Sequence, residues 1–315
     1  MNILFIDTVH PLLKESLERA GHHCQEGYAW SREEVLKQAG AYEGVVIRSR
    51  IRLDEEFLKS ASRLKFIARA GAGMENIDVT TAEAKGIRCL NAPEGNRDAV
   101  GEHAIGMLLS LFTHLNRADR EVREGTWRRE QNRGVELQGK TVGIIGYGNT
   151  GGAFAKKLSG FDCTVLAYDK YRKDFSDGFA LEVSMQQIYR DADILSLHVP
   201  LTEETQYLVN DEYLARFRKN IYVVNTARGL CLQTHDLVRN LKAGKVKGAC
   251  LDVIEYEDSS FENFFSSENQ SWNYLVQSDH VVLSPHIAGW THESNEKIAK
   301  ALFEKITAFL KQKPV

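Results

Sequence analysis

The chain has 315 residues, 43% of them hydrophobic and 26% charged, with a formal net charge of −3. That length is enough for two domains, and so small a charge gives no general attraction for nucleic acid or an anionic membrane. No apolar run reaches the roughly 18 residues of a membrane span and no charged-then-apolar leader is visible, so a cytoplasmic protein without membrane or nucleic-acid partners is expected.

Five cysteines (Cys24, Cys89, Cys163, Cys231, Cys250) are odd in number and never paired as Cys-x-x-Cys, which fits reduced thiols rather than a disulfide framework. His22-His23-Cys24 is not read as a metal site. Neighbours on a strand point to opposite faces, and no partner cluster accompanies them.

In chain order, Asn2-Ile3-Leu4-Phe5-Ile6-Asp7 is an apolar strand ending in an acid. Pro11 opens a helix with Leu12, Leu13 and Leu17 on one face, and Gly21 ends it. A helix from Ser31 follows, with Glu34 as its capping-box partner, then the strand Val45-Val46-Ile47. A helix after Asp54, the strand Phe66-Ile67-Ala68, a helix near Thr80 to Lys85 and the strand Arg88-Cys89-Leu90 complete a unit of about residues 1–97. Alternation of this kind predicts a parallel sheet covered on both faces.

A long helix is predicted from Asp98 to about Glu124, with Asn96 as N-cap. Its wide apolar surface suits burial between domains or subunits. Gly125 to Gln138 is charged, carries Trp127 and reads as an arm or loop.

From Gly139 to Asp169 the sequence runs strand, glycine turn, helix, strand and acid. Gly146, Gly148 and Gly151 have the Gly-x-Gly-x-x-Gly spacing: a tight turn, close approach of a pyrophosphate to the backbone, and close helix–strand packing. The helix that follows offers unpaired N–H groups and the positive end of its dipole. Asp169 lies about 20 residues on, where an acid can accept from an adenosine ribose. It would repel a 2′-phosphate, which favours NAD over NADP.

The βα rhythm continues beyond. Strands at Ile194–Leu197, Ile221–Val224, Gly248–Asp252 and Val281–Leu283 each end in polar residues: His198, Arg228, Asp252 and His286. Ligands of open α/β sheets bind at such carboxyl ends. An arginine there can grip a carboxylate, and a histidine can exchange a proton near neutral pH. Glu255 and Glu257 lie just past Asp252, and the residues alone leave open which reaches His286. Glu255 to Asp279 is expected to be a long loop, and a last helix is predicted from about Thr291 to Lys311.

Gly146-Tyr147-Gly148-Asn149-Thr150-Gly151, His198-Val199-Pro200-Leu201-Thr202, Asn225-Thr226-Ala227-Arg228-Gly229, Leu251-Asp252-Val253 and Ser284-Pro285-His286-Ile287-Ala288-Gly289 resemble the signatures of the D-isomer-specific 2-hydroxyacid dehydrogenases. The match is in the right order and covers nearly the whole chain. It implies two doubly wound α/β domains, with a Rossmann NAD-binding domain (98–285) inserted into a flavodoxin-like substrate domain (1–97 and 286–315) and an active cleft between them. It implies Arg228, Glu257 and His286 as the catalytic set. The family's glutamate spacing falls on Glu257, although Asp258-Ser259-Ser260-Phe261 and a longer insertion replace the usual proline-containing stretch after it. The implied cofactor contacts are Gly146 to Gly151 (with Tyr147, Asn149 and Thr150), Asp169, His198, Val199, Pro200, Thr205, Thr226, Ala227, Asp252 and Gly289. The backbone at Ala72 and Gly73 would meet the substrate carboxylate. The 98–138 helix and arm would form a homodimer interface.

Val46-Ile47-Arg48-Ser49-Arg50 resembles the Arg-Ser motif of 3-phosphoglycerate dehydrogenases, in which arginines meet the substrate phosphate. Arg48 and Arg50, at i and i+2, could share a face and, with Arg69, offer positive charge to a distal group, with Ser49 between them. The expected reaction is hydride transfer between NAD(H) and a D-2-hydroxy acid or 2-oxo acid, foremost 3-phosphoglycerate and phosphohydroxypyruvate, as in serine biosynthesis. The chain ends at Val315, so control by serine through an extra C-terminal domain is not expected. The rivals are a glyoxylate or hydroxypyruvate reductase and, from another class, an NAD(H)-sensing scaffold like the co-repressors that share this fold.

Overall fold

The computed structural model describes residues 1–257 and 269–311. The chain folds into two compact units. The first holds Met1–Arg97 and the described residues from Trp290 onward; the second holds Asp98–Glu257 and the described residues up to Gly289. The return to the first unit therefore falls after Gly289 rather than at 286.

In the first unit, β1 (Asn2–Phe5), β2 (His23–Glu26), β3 (Gly44–Ile47), β4 (Phe66–Arg69) and β5 (Arg88–Leu90) form a five-stranded sheet. Its order is β2-β1-β3-β4-β5, with every neighbouring pair parallel. That is the flavodoxin-type order. Ile3, Leu4, Phe5, Val45, Val46, Ile47, Phe66, Ile67 and Ala68 are all fully buried, as expected of strands covered on both faces. Leu13 and Leu17 of helix Pro11–Arg19 pack on one side, with Ile298, Leu302 and Ile306 of helix His292–Lys311. The capping box at Ser31 is formed: its Oγ accepts from Glu34 N at 3.2 Å, and Glu34 Oε2 accepts from Ser31 N at 2.7 Å.

In the second unit, β6 (Thr141–Ile145), β7 (Thr164–Tyr168), β8 (Leu181–Glu182), β9 (Ile194–Leu197), β10 (Ile221–Asn225), β11 (Val246–Leu251) and β12 (Val281–Leu283) pair in the order β12-β11-β10-β9-β6-β7-β8. All pairs are parallel. This is the dinucleotide-binding order, whose direction reverses between β6 and β9. In sheets of this order ligands bind at that point, outside the carboxyl ends of the strands.

Three expectations are corrected. The helix expected over 98–124 is two helices, Pro93–Phe112 and Leu115–Arg123. Pro93, not Asn96, stands at the start, because proline's missing N–H costs nothing in the first turn. His114 breaks the run by taking a left-handed conformation, φ +54°. Within the stretch expected to be a loop from Glu255 to Asp279, Gln270–Gln277 is helical; Asn269 caps it by accepting from Ser271 N and Trp272 N at 2.9 and 3.2 Å. The replaced stretch Asp258 to Phe261, and the insertion as far as residue 268, lie outside the described residues. The edge strand β8 was not expected, and β2 was touched on only through His22-His23-Cys24; both are short and polar enough to hide an apolar alternation.

Candidate active site

The glycine turn joins β6 to helix Asn149–Leu158. Gly146 has φ +91°, and a Cβ there would come within 2.5 Å of the His198 carbonyl oxygen. A Cβ at Gly151 would meet the Gly146 carbonyl oxygen at 2.1 Å. Gly148 faces open space instead, with nothing within 4 Å of where a Cβ would sit, and it begins the helix without a side-chain cap. The turn thus offers an uncovered helix N-terminus of the kind that receives a pyrophosphate. Asn149 is exposed and Thr150 half-buried in the first turn. Tyr147 was expected among the cofactor contacts, but its ring turns inward. It stacks on Phe175 at 4.9 Å and its hydroxyl donates to both oxygens of Asp177, at 3.0 and 2.9 Å, because so large a ring gains more by joining the core.

Asp169 follows β7. Its Oδ2 accepts from Tyr147 N at 2.9 Å, and its Oδ1 from Tyr171 N at 2.9 Å and Arg172 N at 3.0 Å. Burial opposes its charge, but these three amides and the Arg172 guanidinium outweigh it and hold the carboxyl below its usual range. A carboxylate has about four acceptor sites, so one on Oδ2 remains for a ribose hydroxyl.

His198, at the tip of β9, is buried. Its Nε2 meets Ser196 Oγ at 2.9 Å, while its Nδ1 is buried without a partner. Burial pushes the imidazole pKa down to about 3, so the ring is neutral. Val199 reaches back to Gly146, and Thr205 Oγ1 donates to the Pro200 carbonyl at 2.6 Å, which fixes the loop between them. At the tip of β10, Thr226 Oγ1 is likewise buried and unpartnered. The fully buried Asn225 ties the loop: its Oδ1 accepts from Ala227 N at 3.1 Å and its Nδ2 donates to the Arg228 carbonyl at 3.0 Å. Both orphaned atoms belong to strand-tip residues at the carboxyl edge of this sheet, and the His198 backbone lies directly against the glycine turn, a polar setting that fits a group such as NAD.

The two glutamates separate cleanly. Glu257 Oε2 lies 2.7 Å from His286 Nδ1, and its other oxygen accepts from Ile254 N. Glu255 turns away and accepts from Thr234 N at 2.6 Å, capping a helix whose own N-cap, Gln233, makes no side-chain bond. Arg228 leaves β10 in an extended conformation, and its guanidinium donates to the Ala227 carbonyl at 2.7 Å. His286 itself has φ +55°, a conformation that costs a non-glycine residue free energy.

Asp252 holds that conformation. Its carbonyl accepts from His286 N at 2.8 Å. Its carboxylate accepts from Ser284 Oγ at 2.6 Å and from the amides of Ile287 and Ala288 at 2.9 Å each. Burial opposes its charge too, and His103, Ser284 and those amides prevail, keeping the carboxyl below its usual range. Gly289 closes the same segment.

In the first unit, Asp7 Oδ2 accepts from the amides of Arg48, Ser49 and Arg50 at 2.6, 2.9 and 3.2 Å. Arg50 does not share a ligand-facing side with Arg48. Its Nε donates to Asp7 Oδ1 and its two terminal nitrogens to the carbonyls of Trp30, Ile6 and Gly27, because the buried acid attracts the nearest cation inward. Arg69 donates from Nε to the Arg48 carbonyl at 3.1 Å, and its guanidinium lies against Gly71. The Arg48 guanidinium stacks 4.6 Å from the centre of the Trp290 ring. Ser49 is buried. The Ala72 carbonyl accepts from Asn91 Nδ2 at 2.6 Å; Ala72 lies in a bend, and Gly73 follows it in irregular backbone. Among the described residues no group of three His, Cys, Asp or Glu side chains could hold a metal ion.

Residues 105–288 match the family model described as the D-isomer specific 2-hydroxyacid dehydrogenase, NAD binding domain. The chain belongs to this family. It is 34% identical to a D-3-phosphoglycerate dehydrogenase of Archaeoglobus fulgidus, over 100% of this chain but only 58% of that relative's length. It is 35% identical to a hydroxypyruvate reductase of Thermotoga maritima, over 93% of this chain and 91% of the relative. Among solved structures, a D-lactate dehydrogenase from Aquifex aeolicus, complexed with NAD and lactic acid, superposes with a TM-score of 0.83 at 28% identity, covering 99% and 96% of the two chains. NAD is accordingly the family's cofactor, bound by the matched domain. Residues of the site that were not singled out from the sequence include Asn225, Ser284 and Asp7. The first two lay inside the recognised motifs, and the third was visible only as an acid ending a buried strand.

Proposed function

We propose that the protein reduces 2-oxo acids to D-2-hydroxy acids with NADH, and that its foremost substrate pair is phosphohydroxypyruvate and 3-phosphoglycerate. The observation that carries the reaction is the 2.7 Å contact between Glu257 and His286 Nδ1, on segments that leave neighbouring strands of the dinucleotide-type sheet. When bound, NADH supplies the hydride to the carbonyl carbon. Arg228 binds the substrate carboxylate through its planar fork and steadies negative charge on the carbonyl oxygen. Glu257 fixes Nδ1, so His286 delivers its proton to that oxygen from Nε2. In the other direction neutral His286 takes the hydroxyl proton at the same nitrogen. Asp252 and Thr226 are assigned to the nicotinamide end, and the amides near Ala72 and Gly73 to the carboxylate.

The phosphorylated substrate is supported by the resemblance of Val46-Ile47-Arg48-Ser49-Arg50 to the Arg-Ser motif, with the Arg48 guanidinium over the Trp290 ring at 4.6 Å. That substrate would place the protein in serine biosynthesis in the cytoplasm. A second reading, a hydroxypyruvate or glyoxylate reductase, is favoured by the relative matched over nearly its whole length. We also assign a homodimer through residues 98–138, supported by the exposed Leu115, Val122, Trp127 and Val135 there.

Oxidation of NADH with phosphohydroxypyruvate, hydroxypyruvate, glyoxylate and pyruvate decides among these. The expected outcome is a kcat/KM at least about tenfold higher for the phosphorylated acid, and an Arg48→Ala variant that loses that margin, as for one lost charged hydrogen bond. Equal turnover with and without the phosphate would transfer the assignment to the reductase. No turnover of any acid, with NADH still bound, would leave the NAD(H)-sensing scaffold.

A further inference from the structure

His103 lies on helix Pro93–Phe112, within the part counted with the second unit. Its Nε2 stands 2.8 Å from Ser284 Oγ and 3.4 Å from Asp252 Oδ1. Ser284 gives its single hydroxyl hydrogen to Asp252. The 2.8 Å contact then requires a hydrogen on His103 Nε2, which both the neutral ε-tautomer and the imidazolium possess. The three side chains form one directed chain, His103 to Ser284 to Asp252. It ends on the carboxylate that also receives the amides of Ile287 and Ala288.

Those amides directly follow His286, which needs external restraint to remain at φ +55°. Glu257 meets the His286 ring at Nδ1. The His286 N–H goes to the carbonyls of Asp252 at 2.8 Å and Ser284 at 3.1 Å, the next two amides go to the Asp252 carboxylate, and the buried Asp252 is in turn held by Ser284 and His103. We infer that His103 is a positioning residue. Through Ser284 it locks the Asp252 clamp that sets the His286 backbone, and so governs proton delivery without touching substrate or cofactor. The catalytic consequence rests on the dehydrogenase reading above; the clamp itself does not.

The test uses the full chain in three forms: wild type, His103→Phe, which keeps a ring but removes the donor, and His103→Gln, which restores an N–H donor. Amide hydrogen exchange at His286, Ile287 and Ala288 is measured beside NADH affinity, kcat and KM. In the Phe variant, exchange at these three amides should rise about tenfold, about one hydrogen bond's worth. The rest of the sheet should keep its protection, and NADH affinity should stay within about twofold, since His103 touches none of the residues assigned to the adenosine or pyrophosphate. Turnover should fall about tenfold in kcat with little change in KM, the signature of a group needed after binding. Gln should recover most of both losses. Unchanged exchange at the three amides in the Phe variant would overturn the inference. So would a loss of protection spread across the whole sheet that Gln does not repair, because that would describe general packing. If wild type reduced no 2-oxo acid, the dehydrogenase reading would fail, while the exchange measurement would still decide the clamp.

Discussion

At the scale of single residues, the division of labour between two glutamates two positions apart gives the sharpest contrast. Glu257 pairs with His286, whereas Glu255 caps the helix that starts at Thr234. Glu257→Gln should lower kcat about a hundredfold, the usual size of a general acid–base contribution, with NADH affinity preserved. Glu255→Gln should leave kcat within about twofold and cost roughly 0.5–1 kcal/mol of stability by removing an anion from a helix N-terminus. Steady-state kinetics and urea unfolding of the two variants check this; interchanged phenotypes would reverse the assignments. The residues alone could not separate the two, since both lie past a strand tip in an acidic stretch. Family spacing pointed to Glu257, and Glu257 is the one of the two whose carboxylate lies 2.7 Å from His286 Nδ1. Arg50 shows the opposite case: the i, i+2 rule places side chains on one face only while the strand lasts, and β3 ends at Ile47.

Among the elements, those with strong local signals were legible. The capping box at Ser31, the glycine turn and the apolar runs of the central strands all form where the sequence predicted them. Those that depend on one residue's backbone were not. Nothing in the periodicity announces that His114 turns left-handed and splits a helix. An eight-residue helix with Leu275 as its one buried apolar side chain is too short for a period to show. Helix Leu115–Arg123 is a related case, because none of its nine residues is buried. A helix so short is marginal in water by itself, and polar bonds such as Arg117 to Asn132 and Arg120 to Asp279 are what hold it within the chain. A second copy covering Leu115 and Val122 would supply the missing apolar contact. A Leu115→Asp, Val122→Asp double variant should therefore sediment as a single chain where the wild type sediments as two. A wild type already at the mass of one chain would remove the dimer.

For the whole molecule, the neutral buried His198 ties the fold to pH. Its ring stays unprotonated down to about 3, against 6.5 for a free histidine. Between those values the unfolded chain binds a proton that the native chain does not, so stability falls as pH falls through this window. The slope from this group approaches about 1.4 kcal/mol per pH unit. His22 and His114, also depressed by burial, act in the same direction. Asp169 and Asp252 enter only below the ordinary carboxylate range, where protonating them would release the amides that they hold. Urea unfolding from about pH 7 to about pH 5 should show this loss, and His198→Gln should flatten it by close to the one-proton slope. An unaltered slope would mean that the ring titrates normally in the native state.

The arrangement around Asp7 bears on what the Arg48–Arg50 turn can admit. Three successive amides converge on one point, the geometry with which loops elsewhere cradle phosphate, but here that concavity already contains the chain's own carboxylate. A visiting oxyanion therefore finds no main-chain cradle at this turn and must be recognised by side chains alone. Selectivity for a charged substrate would then be open to change one side chain at a time, with the backbone beneath left intact.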